Sequence, residues 1–228
     1  MRKIEFSTGQ YYHIYNRGVD KRNIFLDSRD YDRFLLTLNL LNDKQKNLMI
    51  RWRDFRKKTK NALISDFLKP SFRSPLIEII AYCLNPNHYH LILRQDIDRG
   101  IEKFMHKVGT SYTKYFNLKN KRSGVLFQGK FKAVLIESDE YLLYLSAYVN
   151  GNNFIHGLGK TNFDWKYSSI NEYLHRTKNG ICKPDIILGR FTGGYNDYKK
   201  ILLESTDFFK EKKEGEKYLI ESIPKAWL

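Results

Sequence analysis

Two apolar runs joined by a short turn are the feature that most limits how this chain can fold. Residues 76–84 and 88–94 are rich in Leu, Ile and Tyr, and Asn85-Pro86-Asn87 between them is typical of a turn. The pattern predicts a β-hairpin.

Two histidines lie at the start of the second run. Side chains alternate between the two faces of a strand, so His88 and His90 share one face while Tyr89 lies on the other. Two imidazoles side by side on a rigid strand provide half of a metal site. A pair of ordinary strand histidines gives the same pattern, so other parts of the chain must decide between the two interpretations.

The other elements follow from apolar spacing and cap residues. In chain order we predict a strand at 11–16, a helix at 28–41, the β-hairpin, a helix at 101–116, short strands at 125–127 and 131–136, and a helix at 138–149. This order predicts an α+β fold, a ferredoxin-like split βαβ core with an antiparallel sheet, to which the last helix is added. We expect residues 1–160 to form the main domain and 161–228 a largely helical C-terminal extension packed on it.

The composition favours a nucleic-acid partner. The chain has 40 Lys and Arg against 25 Asp and Glu, a net charge of +15, and 15% aromatic residues that can stack on bases. A basic and irregular insertion is predicted at about 51–75, and it either contacts a phosphate backbone or is a solvated loop. The candidates for backbone contacts are Arg51, Arg53, Lys57, Lys58, Lys130 and Lys132.

The sequence shows no sign of secretion or of a membrane partner. The first twelve residues lack the apolar core of a secretion signal, and no apolar stretch is long enough to span a bilayer. Cys83 and Cys182 lie far apart without paired spacing, so neither a disulfide framework nor a zinc knuckle is indicated. We therefore expect a cytoplasmic protein.

A tyrosine on the last predicted helix is a candidate nucleophile. Tyr148 and Asn152 face the same way if the helix continues through both, although Gly151 between them weakens a helix by about 1 kcal/mol relative to Ala. A tyrosine on an amphipathic helix is ordinarily a core residue, but beside paired histidines it can act as a nucleophile. Tyr144, one turn earlier, is its nearest rival.

The remaining histidines lack a partner at ligand spacing. His13 lies in the first predicted strand, and we expect it to contribute to strand packing near the β-hairpin. We expect His106, His156 and His175 to be surface residues.

Five motifs together resemble the single-tyrosine HUH transposases, and most closely the REP-associated tyrosine transposases and related bacterial insertion-sequence enzymes. The similar segments cover most of the chain and are Tyr12-His13-Ile14-Tyr15-Asn16-Arg17-Gly18, Asn85-Pro86-Asn87-His88-Tyr89-His90, Leu126-Phe127-Gln128-Gly129-Lys130-Phe131-Lys132, Tyr148-Val149-Asn150-Gly151-Asn152 and Trp165-Lys166-Tyr167-Ser168-Ser169. The family usually has proline after the last asparagine of the fourth motif, where this chain has Asn153.

The resemblance implies a metal-dependent DNA strand transferase. On this basis His88, His90 and Asn152 would bind Mg²⁺ or Mn²⁺, and Tyr148 would cleave and rejoin single-stranded or hairpin DNA through a 5′-phosphotyrosine intermediate. The protein would act as a monomer or a homodimer.

Three alternatives stay open at this point. The chain could be a non-catalytic, domesticated protein that binds DNA or RNA hairpins, or a nuclease that hydrolyses DNA without a lasting covalent intermediate. The third is a metalloenzyme that does not act on DNA, which the net charge of +15 disfavours.

Overall fold

A four-stranded antiparallel sheet forms the centre of the protein. The computed structural model describes residues 4–161, 163–174 and 180–215, with side chains as far as Glu211. The strands are β1 (Tyr11–Arg17), β2 (Ile77–Asn85), β3 (His88–Gln95) and β4 (Lys132–Ile136), and their order in the sheet is β2-β3-β1-β4. Every neighbouring pair is antiparallel, which confirms the predicted split βαβ core.

Helices precede, connect and follow these strands. They are α1 (Ser28–Leu41), α2 (Leu48–Lys58), α3 (Ile64–Phe67), α4 (Gly100–Lys119), α5 (Asp139–Asn150), α6 (Asn152–Ile155), α7 (Ile170–Tyr173), α8 (Asp185–Leu188) and α9 (Tyr195–Gly215), with short 3-10 turns at Val19–Lys21 and Pro70–Phe72. Within these ranges no helix is both long enough and apolar enough to cross a membrane.

The two faces of the sheet are covered by different helices. Tyr89 and Leu91 of β3 are buried together with side chains of α1 and α4. Ile92 points to the other face and is buried with side chains of α5 and α9. The sheet is therefore the middle layer of three, and α5 lies on the face to which His88 and His90 point.

The predicted β-hairpin is present. Asn85 pairs with His88, so that Pro86 and Asn87 alone form the turn, and Cys83 pairs with His90. Backbone amides of Ile24 and Phe25 donate to the Pro86 carbonyl at 2.7 and 3.0 Å. These bonds fix the turn against the segment that leads into α1.

The prediction that residues 51–75 are irregular was wrong for residues 51–58, whereas residues 59–75 contain only the four-residue helix α3 and a 3-10 turn. Helix α2 runs into this segment from Leu48 and places Leu48 and Trp52, four residues apart, on one side. Both side chains are buried with Leu40 and Leu68 in a small separate core. The many cations around Trp52 conceal this apolar spacing, which is why composition alone indicates a loop.

The short strand predicted at 125–127 was also wrong. Phe127 forms only an isolated bridge to Gly18, while the Gln128 amide donates to the Arg17 carbonyl at 2.8 Å. Gly129 then takes a positive φ of 71°, a conformation outside the strand region, and regular pairing with β1 begins only at Lys132.

The described residues beyond position 160 pack closely on this core. The Leu84 amide donates to the Tyr167 carbonyl at 3.0 Å, and the Ser169 amide donates to the Tyr82 carbonyl at 2.9 Å. The segment therefore covers the exposed edge of β2 and satisfies its backbone groups. Helix α9 lies along α5 on the histidine-bearing face.

Candidate active site

The histidine pair and the candidate nucleophile meet on one face of the sheet. The ring centroids of His88 and His90 lie 5.2 Å apart, and the Tyr148 ring stands edge-on to His90 at 5.6 Å and 85°. Helix α5 begins directly after β4, where the Ser138 hydroxyl caps it by accepting from the Tyr141 amide at 3.1 Å. The short connection from β4 carries α5 back across the sheet and places Tyr148 over β3.

Asn152 reaches the same place from the other side of Gly151. Its Oδ1 lies 3.4 Å from Nε2 of His88, and both atoms accept from the Asn85 amide nitrogen, at 2.5 and 2.9 Å respectively. The Cys83 thiol lies 3.5 Å from Oδ1 of Asn85, which orients that amide with its nitrogen toward His88. Asn85 thus holds two acceptor atoms side by side.

The hydrogen bonds of His88 determine its tautomer. Its Nδ1 lies 2.6 Å from the side-chain oxygen of Asn87, an atom that only accepts, so Nδ1 carries the proton. Nε2 is then a lone pair, in agreement with its bond from Asn85. A neutral imidazole with an unprotonated ring nitrogen is the form that binds a metal.

His13 lies directly against His90. Nε2 of His13 is 2.8 Å from Nδ1 of His90, and the two rings are nearly parallel, with centroids 5.0 Å apart. Burial lowers the pKa of His13 to about 3. Burial, assisted by the neighbouring imidazoles, lowers the pKa of His90 well below its usual value, so both rings are neutral at physiological pH.

The helix that we expected to continue through Tyr148 and Asn152 is broken at Gly151, but the chain keeps a helical hydrogen bond across the break. Helix α5 ends at Asn150, and α6 begins at Asn152, while the Gly151 amide still donates to the Ala147 carbonyl at 2.9 Å. A Cβ at position 151 would lie 2.0 Å from the Thr206 methyl of α9. Glycine is therefore required here by the close approach of α9.

A buried polar network anchors the end of α5. The side chain of Asn150 accepts from the Ser169 hydroxyl at 2.5 Å and donates to the Tyr198 hydroxyl at 2.7 Å. The Ser168 hydroxyl donates to the Asn150 carbonyl at 2.9 Å. Asn150 thereby links α5 to α9 and to the segment that covers the edge of β2. Because Asn150 lies between Tyr148 and Asn152 in sequence, these bonds fix where both of those side chains point.

Tyr148 is buried in the resting protein. Its ring is 7% exposed and lies between His90 and Phe209 of α9, whose centroid is 4.8 Å away. Burial raises the pKa of Tyr148 to about 12, and the Asn152 side chain partly opposes the shift. The phenol is therefore protonated at neutral pH.

The residues present fit a divalent ion. His88 Nε2 and Asn152 Oδ1 are adjacent acceptors, and Nε2 of His90 is buried without a hydrogen-bond partner among the described residues. A cavity of about 20 Å³ next to His88 and His90 has room for one water or ion. In the described ranges no three His, Cys, Asp or Glu side chains form a metal-binding group, so the site depends on the Asn152 amide.

Two of the predicted DNA-contacting lysines lie beside this site. Lys132 lines the small cavity with His88 and His90, together with Arg17 and Gln128, which hydrogen-bond each other. Lys130 lines an adjoining groove of about 650 Å³ between α4 and the 125–131 loop. Both lysines are exposed. Arg17 and Gln128 were not predicted as site residues, although both belong to motifs used for the family resemblance.

The other four predicted contacts lie elsewhere. They are Arg51, Arg53, Lys57 and Lys58, and all four are exposed on α2. Helix α2 packs against α1, so it lies on the opposite side of the sheet from His88. Two are engaged locally, Arg51 with Gln45 at 3.0 Å and Arg53 with Asp54 at 3.0 Å. The structure does not bring these cations together with Tyr148.

The prediction that His156 is a surface residue was wrong. The half-buried ring of His156 lies 4.8 Å from the His88 ring, because His156 follows Asn152 by one helical turn. The spacing of four from Asn152 is the signal that could have found it. His106 is exposed as expected, and His175 lies outside the described residues.

Comparisons with known proteins relate this chain to transposases. Residues 49–152 match the model of the IS200-like transposase family. Among solved structures, a REP-associated tyrosine transposase bound to a REP hairpin is similar in fold, with a TM-score of 0.52 and 17% identity over 80% of this chain and 90% of that one. No curated protein matches the chain.

The family match covers the three proposed metal ligands and the candidate nucleophile, whereas His13, Arg17 and His156 lie outside it. It begins in α2 and extends to Asn152, and so contains both histidines of β3 and the tyrosine of α5. Through residues 49–152 this chain is similar to the IS200-like transposase family.

Proposed function

We propose that this protein is a transposase that cleaves and rejoins single-stranded or hairpin DNA, with Tyr148 as nucleophile and a divalent metal as cofactor. The observation that carries the proposal is the convergence of separate sequence motifs. Tyr148 stands 5.6 Å from His90, and Asn152 Oδ1 lies 3.4 Å from His88 Nε2. Four residues from two distant segments thus lie close together on one face of the sheet.

The reaction is a transesterification at phosphorus. The Tyr148 oxygen attacks the scissile phosphate, the bond from phosphorus to the 3′-oxygen breaks, and the phenol proton ends on the released 3′-oxygen by way of solvent. The product is a 5′-phosphotyrosyl protein and a free 3′-hydroxyl. Because the phosphodiester energy is retained, a second 3′-hydroxyl can reverse the step and join strands.

His88, His90 and Asn152 would hold the metal. When bound, Mg²⁺ or Mn²⁺ supplies Lewis-acid polarisation of the scissile phosphate. The two imidazole nitrogens suit Mn²⁺ at least as well as Mg²⁺, which prefers oxygen ligands. The raised pKa of Tyr148 means that the phenol stays protonated until a base takes its proton or a nearby cation favours the phenolate.

The bound strand would follow the cations next to the cavity. Arg17 and Lys132 flank the histidines, and the adjoining groove with Lys130 continues along α4. Aromatic side chains of the groove, such as Phe127 and Phe131, offer surfaces on which unpaired bases can stack.

Helix α2 would then serve a different part of the DNA. Its cations, Arg51, Arg53, Lys57 and Lys58, are too remote to assist at Tyr148 and are proposed to contact a phosphate backbone away from the cleavage point. Residues 1–160 form the proposed catalytic domain, with 161–228 as an extension packed on it.

Because Tyr148 meets His90 within one chain, we propose that a monomer is active, and light scattering with chromatography tests this.

The decisive experiment looks for the covalent adduct. Protein is incubated with Mn²⁺ and single-stranded oligonucleotides from the flanks of its own locus, and adducts are detected by denaturing gels and mass spectrometry. The Tyr148→Phe variant should form none, and neither should wild type with a chelator. The matched control is Tyr144→Phe, one turn earlier on α5 and 5.1 Å from the same Phe209, which should retain the adduct.

Other outcomes would select another function. Cleavage that persists in Tyr148→Phe without any adduct would indicate a hydrolytic nuclease. Tight binding of hairpins without cleavage, with Mn²⁺ present, would indicate a non-catalytic nucleic-acid-binding protein.

A further inference from the structure

His13 occupies a position that strand packing alone does not explain. It lies on β1 opposite Ile92 and reaches diagonally to His90, on the histidine-bearing face of the sheet. The His13 side chain is 3% exposed and that of His90 is 2% exposed. Two buried imidazoles in a nitrogen-to-nitrogen contact of 2.8 Å must share one proton between them.

Two arrangements of that proton are possible. If Nδ1 of His90 donates, Nε2 of His90 is a lone pair and Nδ1 of His13 carries a hydrogen. If Nε2 of His13 donates, Nε2 of His90 carries the hydrogen instead. In the described part of the chain, neither Nδ1 of His13 nor Nε2 of His90 has a hydrogen-bond partner. Both arrangements therefore leave the same number of buried groups unsatisfied, and this number does not distinguish them.

The surroundings of the site separate them. His88 Nε2 is a lone pair, and Asn152 Oδ1 is an acceptor beside it. A cation that binds these atoms requires a lone pair on His90 as well, and a ring N–H there would repel it. Metal-binding histidines in general donate their other ring nitrogen to a neighbouring group, which fixes tautomer and orientation.

We propose that His13 is a positioning residue, whose Nε2 accepts the Nδ1 hydrogen of His90 and holds the Nε2 lone pair of His90 available to a divalent metal. This inference rests on the proposed function, because it assigns His90 the role of a ligand. His13 itself would touch neither the metal nor the DNA.

Neighbouring rings hold the pair in place. The Tyr15 ring lies 5.0 Å from His13 and 5.8 Å from His90, stacked on both. The Tyr148 ring meets both edge-on, at 6.5 and 5.6 Å. A flip of either imidazole would require these aromatic rings to move, so the tautomer is set by the hydrogen bond and not by ring rotation.

The test reads the tautomer directly in metal-free protein. Long-range ¹⁵N–¹H spectra of histidine-labelled protein distinguish a ring protonated at Nδ1 from one protonated at Nε2. We expect wild-type His90 to carry its hydrogen on Nδ1. A hydrogen on Nε2 of His90 would overturn the proposal, whatever the DNA activity of the protein.

Two variants separate positioning from packing. His13→Phe keeps a ring of similar size without an acceptor, and His13→Gln restores an acceptor oxygen. His13→Phe should lose the Nδ1-protonated form of His90 and bind Mn²⁺ about 10–100-fold more weakly by calorimetry, while His13→Gln should retain most of both. Tyr12→Phe is the control, since Tyr12 is the neighbouring β1 residue on the opposite face.

The results distinguish a failure of the His13 proposal from a failure of the proposed function. If His13→Phe does not fold, the wild-type and His13→Gln spectra still decide the tautomer. If wild type binds no Mn²⁺ but shows the expected tautomer, metal dependence fails and the hydrogen bond stands. Unchanged Mn²⁺ affinity in His13→Phe would refute the role of His13.

Discussion

Replacing Gly151 with alanine should destabilise the protein, although helix propensity alone predicts the opposite. Alanine is favoured over glycine in a helix by about 1 kcal/mol. The new methyl would lie 2.0 Å from the Thr206 Cγ2, whereas carbon atoms prefer about 3.5–4.0 Å. Helices α5 and α9 must then separate, or side chains must leave their rotamers. Overpacking of this kind costs about 1–3 kcal/mol, so after the gain in helix propensity we expect a net loss of up to about 2 kcal/mol.

Thr206→Ser provides the matched partner for a double-mutant cycle. It removes the Cγ2 methyl but keeps the hydroxyl that donates to the Leu202 carbonyl at 2.8 Å. The single substitution should cost about 1 kcal/mol for the lost buried methyl. In the double variant the alanine methyl takes the vacated space, so stability should return to within about 1 kcal/mol of wild type.

Urea unfolding monitored by tryptophan fluorescence measures all four proteins. The coupling energy should be about 2 kcal/mol in favour of the double variant. A Gly151→Ala protein more stable than wild type, or a cycle with no coupling, would refute the argument that α9 dictates glycine at this position.

Two further predictions concern buried carboxylates. Burial raises the pKa of Glu172, so the folded protein binds the carboxyl proton more tightly than the unfolded chain does, and stability is lost as pH rises from the ordinary carboxyl range toward the folded-state pKa. Glu172→Gln, which can still bond the Tyr82 hydroxyl, should therefore be more stable than wild type at neutral pH and lose that advantage in acid. Unfolding free energies measured across pH test this. Asp30 is fully buried and bonded to Lys119 at 2.6 Å, so Asp30→Asn should cost about 2–3 kcal/mol in chemical denaturation. The exposed control Asp20→Asn should change the same free energy by under about 0.5 kcal/mol, and equal losses in both variants would contradict the burial argument.

The local part of the fold was predictable because it follows from short-range patterns. The β-hairpin came from two apolar runs and an Asn-Pro-Asn turn, and the alternation along β3 correctly placed His88 and His90 opposite Tyr89. The order of strands and helices was enough to predict the split βαβ core. Helix α2 was missed because Trp52, whose burial defines the helix, stands among cations.

The candidate site was predictable only in its parts. Family motifs placed His88, His90, Tyr148 and Asn152 on a short list, and the structure brings them together. Nothing in local spacing shows that Asn85 bonds both acceptors, because Asn85 and Asn152 are 67 residues apart in sequence.

The sequence by itself determined the four strands of the sheet, although it also predicted a fifth at 125–127. It determined as well the face on which the histidine pair lies and the basic character of the chain, since each depends on neighbouring residues or on composition. Only the tertiary structure decided what covers that face. Helices α5 and α9 bury Tyr148 between His90 and Phe209, and β1 brings His13 within 2.8 Å of His90. These contacts join residues far apart in the chain, so burial, tautomer and pKa at the site arise from packing that no local pattern encodes.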